Sequence, residues 1–176
     1  MPGATVTAGG QTTTTASDGS YSITLTPGDY QVTADADGYL QSSQSVTVPE
    51  GASTTADFSL TPEDGTISGV VEDASGNALS GATVTANGES ATTASDGSYT
   101  LTVAPGDYTV EANADGFQAA TQQVTVSPGG SATANFALGA QDGTISGVVQ
   151  DQNGNNLGGA TVTANGESAT TASDGS

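Results

Sequence analysis

One unit of sequence recurs at a fixed interval of 78 residues: GATVT begins at Gly3, Gly81 and Gly159, ASDGS at Ala16, Ala94 and Ala172, and DGTISGVV at Asp64 and Asp142. A chain written this way adds length by repeating a small unit, so each unit must close its own core. Residues 3–80 match residues 81–158 at 47 of 78 positions, and residues 159–176 match 81–98 at all 18, which is duplication of one unit. A hydrophobic content of only 34% agrees with several small cores and not with one large one.

Within a unit, short alternating runs of Thr, Val and Tyr are separated about every ten residues by Gly, Pro, Asn and Asp clusters. The pattern predicts strands over residues 66–72, 82–86, 90–94, 99–104, 107–114, 119–127 and 132–138, with no helical period anywhere. Alternation turns Ile67, Val71, Val84, Tyr99, Leu101, Val103, Tyr108, Val110, Val124, Val126, Phe136 and Leu138 inward and leaves Thr, Ser and Gln outside. Asp96-Gly97 fits a tight hairpin, Pro105-Gly106 a turn with proline at its first central position, and Asp115-Gly116 another reversal. The fold class expected is all-β: tandem seven-stranded antiparallel sandwiches.

The segment GTISGVVEDASGNALSGATVTA, followed by TTASDGSYTLTVAPGDYTVEANADGF, resembles the carboxypeptidase regulatory-like domain, a transthyretin-like (prealbumin-like, Ig-like) β-sandwich. The likeness rests on the GATVT strand, the DGSY turn, the PGDY turn and the ADG(Y/F) turn, and it extends over the whole chain in three pieces. It implies a seven-stranded sandwich used as a spacer or interaction module in secreted and cell-surface proteins, with no catalytic residues to carry over. A related surface-protein family staples its sandwiches with Lys–Asn isopeptide bonds, which a chain without Lys cannot form.

In this frame residues 1–63 are a repeat lacking its first strand, 64–141 a complete repeat, and 142–176 the first three strands of a further one. Half a sandwich exposes apolar faces and strand edges, so both end pieces are expected to be completed. Either the repeats continue in a longer chain, or neighbouring molecules donate the absent strands. Continuation is preferred because residues 159–176 duplicate 3–20, and whole-piece docking would place two copies of the second strand in one domain.

Composition removes most chemistries. The chain has no Lys, Arg, His or Cys and a net charge of -19, so it offers no side-chain cation to a phosphate backbone or an anionic headgroup, and neither nucleic acid nor membrane insertion is expected. Disulfides, thiolate metal sites and nucleophilic catalysis by Cys, His or Lys are ruled out by the same inventory. Met1 to Gly10 carry no basic region or apolar run, so any secretion signal is expected to lie elsewhere. Paired carboxylates would have to come from Asp35, Asp37, Asp73, Asp96, Asp107 and Asp115, which all stand in or beside glycine-rich turns where Asp caps its own backbone.

Calcium is the one cofactor the residues raise: Asp151, Asn153 and Asn155 alternate in a loop, and Asp73 and Asn77 occupy its counterpart. The terminal Glu of an EF-type loop is absent, so an Asx-rich turn is the competing reading. Thr12 to Thr15 and the outer Thr and Ser rows could carry O-linked sugars, and there is no N-linked acceptor sequence. The resulting expectation is a non-catalytic, acidic structural segment of an extracellular filament or surface stalk that self-associates through identical or repeated units, serving adhesion or spacing. The alternative is a carbohydrate- or protein-binding spacer of a secreted enzyme or adhesin.

Overall fold

A computed structural model describes all residues from Met1 to Ser176, and the chain resolves into two compact units, Met1–Ala140 and Gln141–Ser176. The first unit contains two versions of the repeat. The earlier one contributes β1 (Thr5–Ala8), β2 (Gln11–Thr14), β3 (Gly28–Asp35) and β4 (Ser42–Val48), joined as one antiparallel sheet in the order β2-β1-β3-β4.

The later one contributes β5 (Gly65–Asp73), β6 (Thr83–Ala86), β7 (Glu89–Thr92), β8 (Ser98–Val103), β9 (Gly106–Asn113), β10 (Ala120–Val126), β11 (Ser131–Thr133) and β12 (Phe136–Leu138). Strands β10-β9-β6-β7 form one sheet of a sandwich. In the other, β5 lies between β8 on one edge and β11 and β12 on the other. The second unit contains β13 (Thr161–Ala164) and β14 (Glu167–Thr170), paired as a hairpin.

Alternation decides the core. Ile67, Val71, Val84, Tyr99, Leu101, Val103, Tyr108, Val110, Val126, Phe136 and Leu138 are buried as the pattern predicts, and Val124 packs half-buried at their rim. Ala82, Ala86, Ala112 and Ala134 are buried with them. These small side chains let the two sheets approach around the large ones.

Three details differ from the sequence expectation. The last predicted strand is divided at Ala134 and Asn135, where the Asn135 side-chain oxygen accepts the Val70 N–H at 3.0 Å in place of a ladder bond. Both resulting pieces run parallel to β5, in an otherwise antiparallel fold. Parallel neighbours need a long crossover, and the intervening strands β6 to β10 supply it.

Asp96-Gly97 is not a hairpin: β7 and β8 lie in different sheets, and this turn carries the chain between them. The tight hairpin is Asn87-Gly88, joining β6 to β7 with φ of 48° and 94°. Two successive positive φ values match the twist of the flanking strands.

One polar side chain is buried in the core. Thr93 accepts the Ala82 N–H at 2.9 Å and donates its hydroxyl to the Leu79 carbonyl at 2.6 Å, tying the entry of β6 to the exit of β7. Thr15 and Thr171 make the same pair of bonds one repeat earlier and later. Thr93→Val keeps the shape but strands a buried donor and acceptor, a loss of about 1–3 kcal/mol. Denaturant unfolding should show that loss, with Thr93→Ser recovering most of it; equal stability of Val and wild type would contradict the role.

Candidate functional site

In a chain without Lys, Arg, His or Cys, the surfaces that connect repeats are the candidates for function. The first is a joint inside the first unit. The turn Asp37-Gly38-Tyr39 between β3 and β4 is held by the Tyr39 N–H bonded to the Ala36 carbonyl at 3.0 Å, and Gly38 adopts φ of 76°. Its carbonyl accepts the Glu63 N–H at 2.8 Å, and the Glu63 carbonyl accepts the Gly129 N–H at 3.0 Å. Two backbone bonds therefore run from a turn of the earlier repeat, through the linker, to the β10–β11 loop of the later one.

Close approach makes the joint specific for glycine. A side chain at Gly38 would run into the Pro128 carbonyl, and one at Gly129 would stand 3.0 Å from the Gly38 Cα. Gly116, the same residue one repeat on, has φ of 81° and nothing within 4 Å of an added Cβ. Gly38→Ala and Gly116→Ala thus share the cost of a left-handed backbone, on the order of 1 kcal/mol, and differ only in the joint. Small-angle scattering should show Gly38→Ala loosening the two repeats while Gly116→Ala keeps the wild-type profile; identical profiles would show that the seat does not fix their arrangement.

The second surface is a groove in the earlier repeat. Residues 21–25 and 53–60 are the counterparts of β8 and of β11 with β12, yet neither forms a strand. In the later repeat both partners are bonded to β5, and here no strand stands between them. Tyr21 still donates its hydroxyl to the Ala56 carbonyl at 2.5 Å, as Tyr99 does to Ala134 at 2.6 Å, so the two walls keep their spacing. Between them lies an open groove of about 510 Å³ lined by Tyr21, Ile23, Leu25, Val32 and Val46. Burial pushes the Tyr99 phenol up to about 12; half-buried Tyr21 is raised by burial and then by the nearby Asp57 carboxylate.

The candidate calcium residues occupy two copies of one turn. Asp73 Oδ1 accepts the Ser75 and Asn77 N–H groups at 2.8 and 2.9 Å, and its Oδ2 accepts the Asn77 amide at 2.8 Å. Asp151 does the same with Asn153 and Asn155. In each turn N–H donors converge on a single carboxylate, and no group of three or more Asp or Glu side chains comes together to hold a metal. Of the acids considered for catalysis none is buried, Asp107 accepts the Thr125 hydroxyl at 2.6 Å, and Asp96 accepts both the N–H and the hydroxyl of Ser98.

The Asn77 side-chain bond, and then its backbone bond, hold the Asp73 carboxyl below its ordinary 3.8. A depressed value in the folded state means that the turn's contribution is present above the unfolded value and is lost as pH falls through the folded one. The amide resonances of Ser75 and Asn77 should therefore titrate with a midpoint below 3.8. A midpoint at or above it would show that the carboxylate does not organise the turn.

The family model for the carboxypeptidase regulatory-like domain matches residues 1–61 and 66–139. No curated protein matches the chain. Among solved structures, the Bacillus anthracis TIE protein superposes on 99% of this chain and 39% of its own, with a TM-score of 0.48 and 16% identity. The group B streptococcus pilus 2b backbone protein aligns over 68% of this chain and 52% of its own, with a TM-score of 0.37 and 17% identity. A streptococcal ancillary pilin aligns over 86% and 62%, with a TM-score of 0.40 and 12% identity. The chain thus spans about two fifths to three fifths of the length of these three solved chains.

Proposed function

Because the chain belongs to the carboxypeptidase regulatory-like domain family, with two tandem matches, we propose that it is a non-catalytic structural segment of an extracellular filament or surface stalk. Its partners in this reading are repeats of its own kind. The observation that carries the proposal is the joint at Gly38, Glu63 and Gly129, which couples consecutive repeats through backbone bonds. Such a seat sets one repeat against the next, and a series of seats extends a chain without needing a larger core.

Composition supports a passive role outside the cell. Carboxylates that accept bonds from their own turns are unsuited to acid–base work, and no His, Cys or Lys can replace them. The absence of Lys and Arg removes every cleavage site for trypsin-like proteases, an advantage on an exposed fibre. Self-repulsion of 19 acids without side-chain counter-charges keeps laterally adjacent fibres apart and weakens with salt.

Immunogold labelling of producing cells, read by negative-stain microscopy, tests the proposal. Gold is expected along surface fibres with a regular axial repeat, and label confined to the cell interior would overturn it.

A further inference from the structure

The strand that opens the later repeat and the two that close it lie side by side and run in the same direction. Thr66 stands opposite Ser131 at one end of this pairing, and Asp73 stands opposite Leu138 at the other. The chain therefore enters the sandwich at one end of the pairing and leaves it at the opposite end. A pull between residues 64 and 141 draws β5 back along its own axis and β12 forward along the same axis. The two edges are driven to slide past each other instead of peeling apart.

We propose that the pairing of β5 with β11 and β12 is a shear clamp, which makes the repeat resist tension applied along the chain. The proposal rests on the filament reading, in which a stalk is loaded along its chain, and it names the part that bears the load. Four bonds cross the seam in sequence. The Glu63 carbonyl accepts the Gly129 N–H at 3.0 Å, and the Thr66 N–H donates to the Gly130 carbonyl at 2.9 Å. The Ser68 carbonyl accepts the Ala134 N–H at 3.0 Å, and the Val70 N–H donates to the Asn135 side-chain oxygen at 3.0 Å. Sliding strains all of them together, whereas peeling breaks them one after another. Forced unfolding reads the height of the unfolding barrier, so the same bonds resist sliding more strongly.

The core locks the register as well. Ile67 and Val71 of β5 are buried with Phe136 and Leu138 of β12. A slip by one residue would turn the inward side chains of β5 outward. The first register that returns apolar residues to the core lies two residues on, about 6.6 Å away. Gly69 closes the path to it. It lies so near the Ala134 carbonyl that any Cβ would collide, and backward sliding of β5 brings Val70 to that place. Tyr99 donates its hydroxyl to the same carbonyl at 2.6 Å, which keeps the carbonyl from swinging aside.

The chain contains no Cys, so a pair of introduced cysteines sets the direction of pulling in single-molecule force spectroscopy of the full chain. Handles on Asp64→Cys and Gln141→Cys, both exposed positions, load the seam in sliding. Handles on Asp64→Cys and Ser131→Cys, exposed positions at one end of the pairing, peel β11 from β5. At equal pulling speed the first geometry should unfold at severalfold higher force. Asn135→Ala removes one seam bond and should lower the sliding force. Thr93→Val loses bonds that tie β6 to β7, which are still formed when the seam gives way, so it should reduce equilibrium stability at unchanged sliding force.

Equal force in the two directions would refute the clamp, as would a sliding force that falls as far in Thr93→Val as in Asn135→Ala. The gold label judges the filament separately. Labelled fibres with equal forces reject the clamp alone, and interior label with a direction-dependent force rejects the filament while the clamp stands.

Discussion

Strand β5 is bonded along both edges, to β8 on one side and to β11 and β12 on the other, and the completeness of the sandwich depends on that two-sided pairing. It brings Ile67 and Val71 to the centre of the core, and it turns two flanking segments into strands by giving their backbone groups partners. The same chain contains the contrast. Residues 21–25 and 53–60 carry the apolar alternation of β8 and of β11 with β12, yet without a central strand they stay irregular and leave Tyr21, Ile23, Phe58 and Leu60 half-covered. Alternation is therefore a necessary condition for a strand, and a bonded neighbour is the other.

The consequence explains which parts of the structure were legible beforehand. The inward faces of the later repeat, from Ile67 to Leu138, follow from period-two alternation because each side chain's face is a local property. The alanines at 82, 86, 112 and 134 give a weaker signal, since a single methyl adds little to the apolar alternation, and packing places them. Asp96-Gly97 reads as a hairpin because the dipeptide specifies a reversal; which sheet the next strand joins is set by long-range pairing, and β8 joins β5. Residues 142–176 were expected to hold the first three strands of a further repeat, yet residues 142–149, identical to residues 64–71, form no strand, because alternation alone does not supply a bonded neighbour.

Connecting surfaces were less legible than the fold for a related reason. Gly38 and Gly116 stand in the same ADG turn with nearly the same φ, and only Gly38 meets the loop of a following repeat. A local motif cannot disclose which copy is in contact. The acidic turns show the reverse. Asp73 with Asn77, and Asp151 with Asn153 and Asn155, had two readings, because alternating oxygen-bearing side chains serve a cation and an Asx turn alike. The N–H groups of Ser75 and Asn77 and the Asn77 amide meet the Asp73 carboxylate, which is the geometry of an Asx turn.

Charge and backbone pairing divide the work of such a chain. With 19 acids and no side-chain cation, salt bridges cannot join repeats, and specific contacts between them must come from hydrogen bonds and apolar burial. Both surfaces fit that constraint. The joint uses carbonyl and N–H groups of Gly38, Glu63 and Gly129, and the groove is lined by the apolar side chains of Ile23 and Leu25. Glycine is needed at Gly38 and Gly69 because backbone must meet backbone without an intervening Cβ. A chain deprived of salt bridges can still be specific about its neighbours when steric fit and hydrogen-bond register do the selecting.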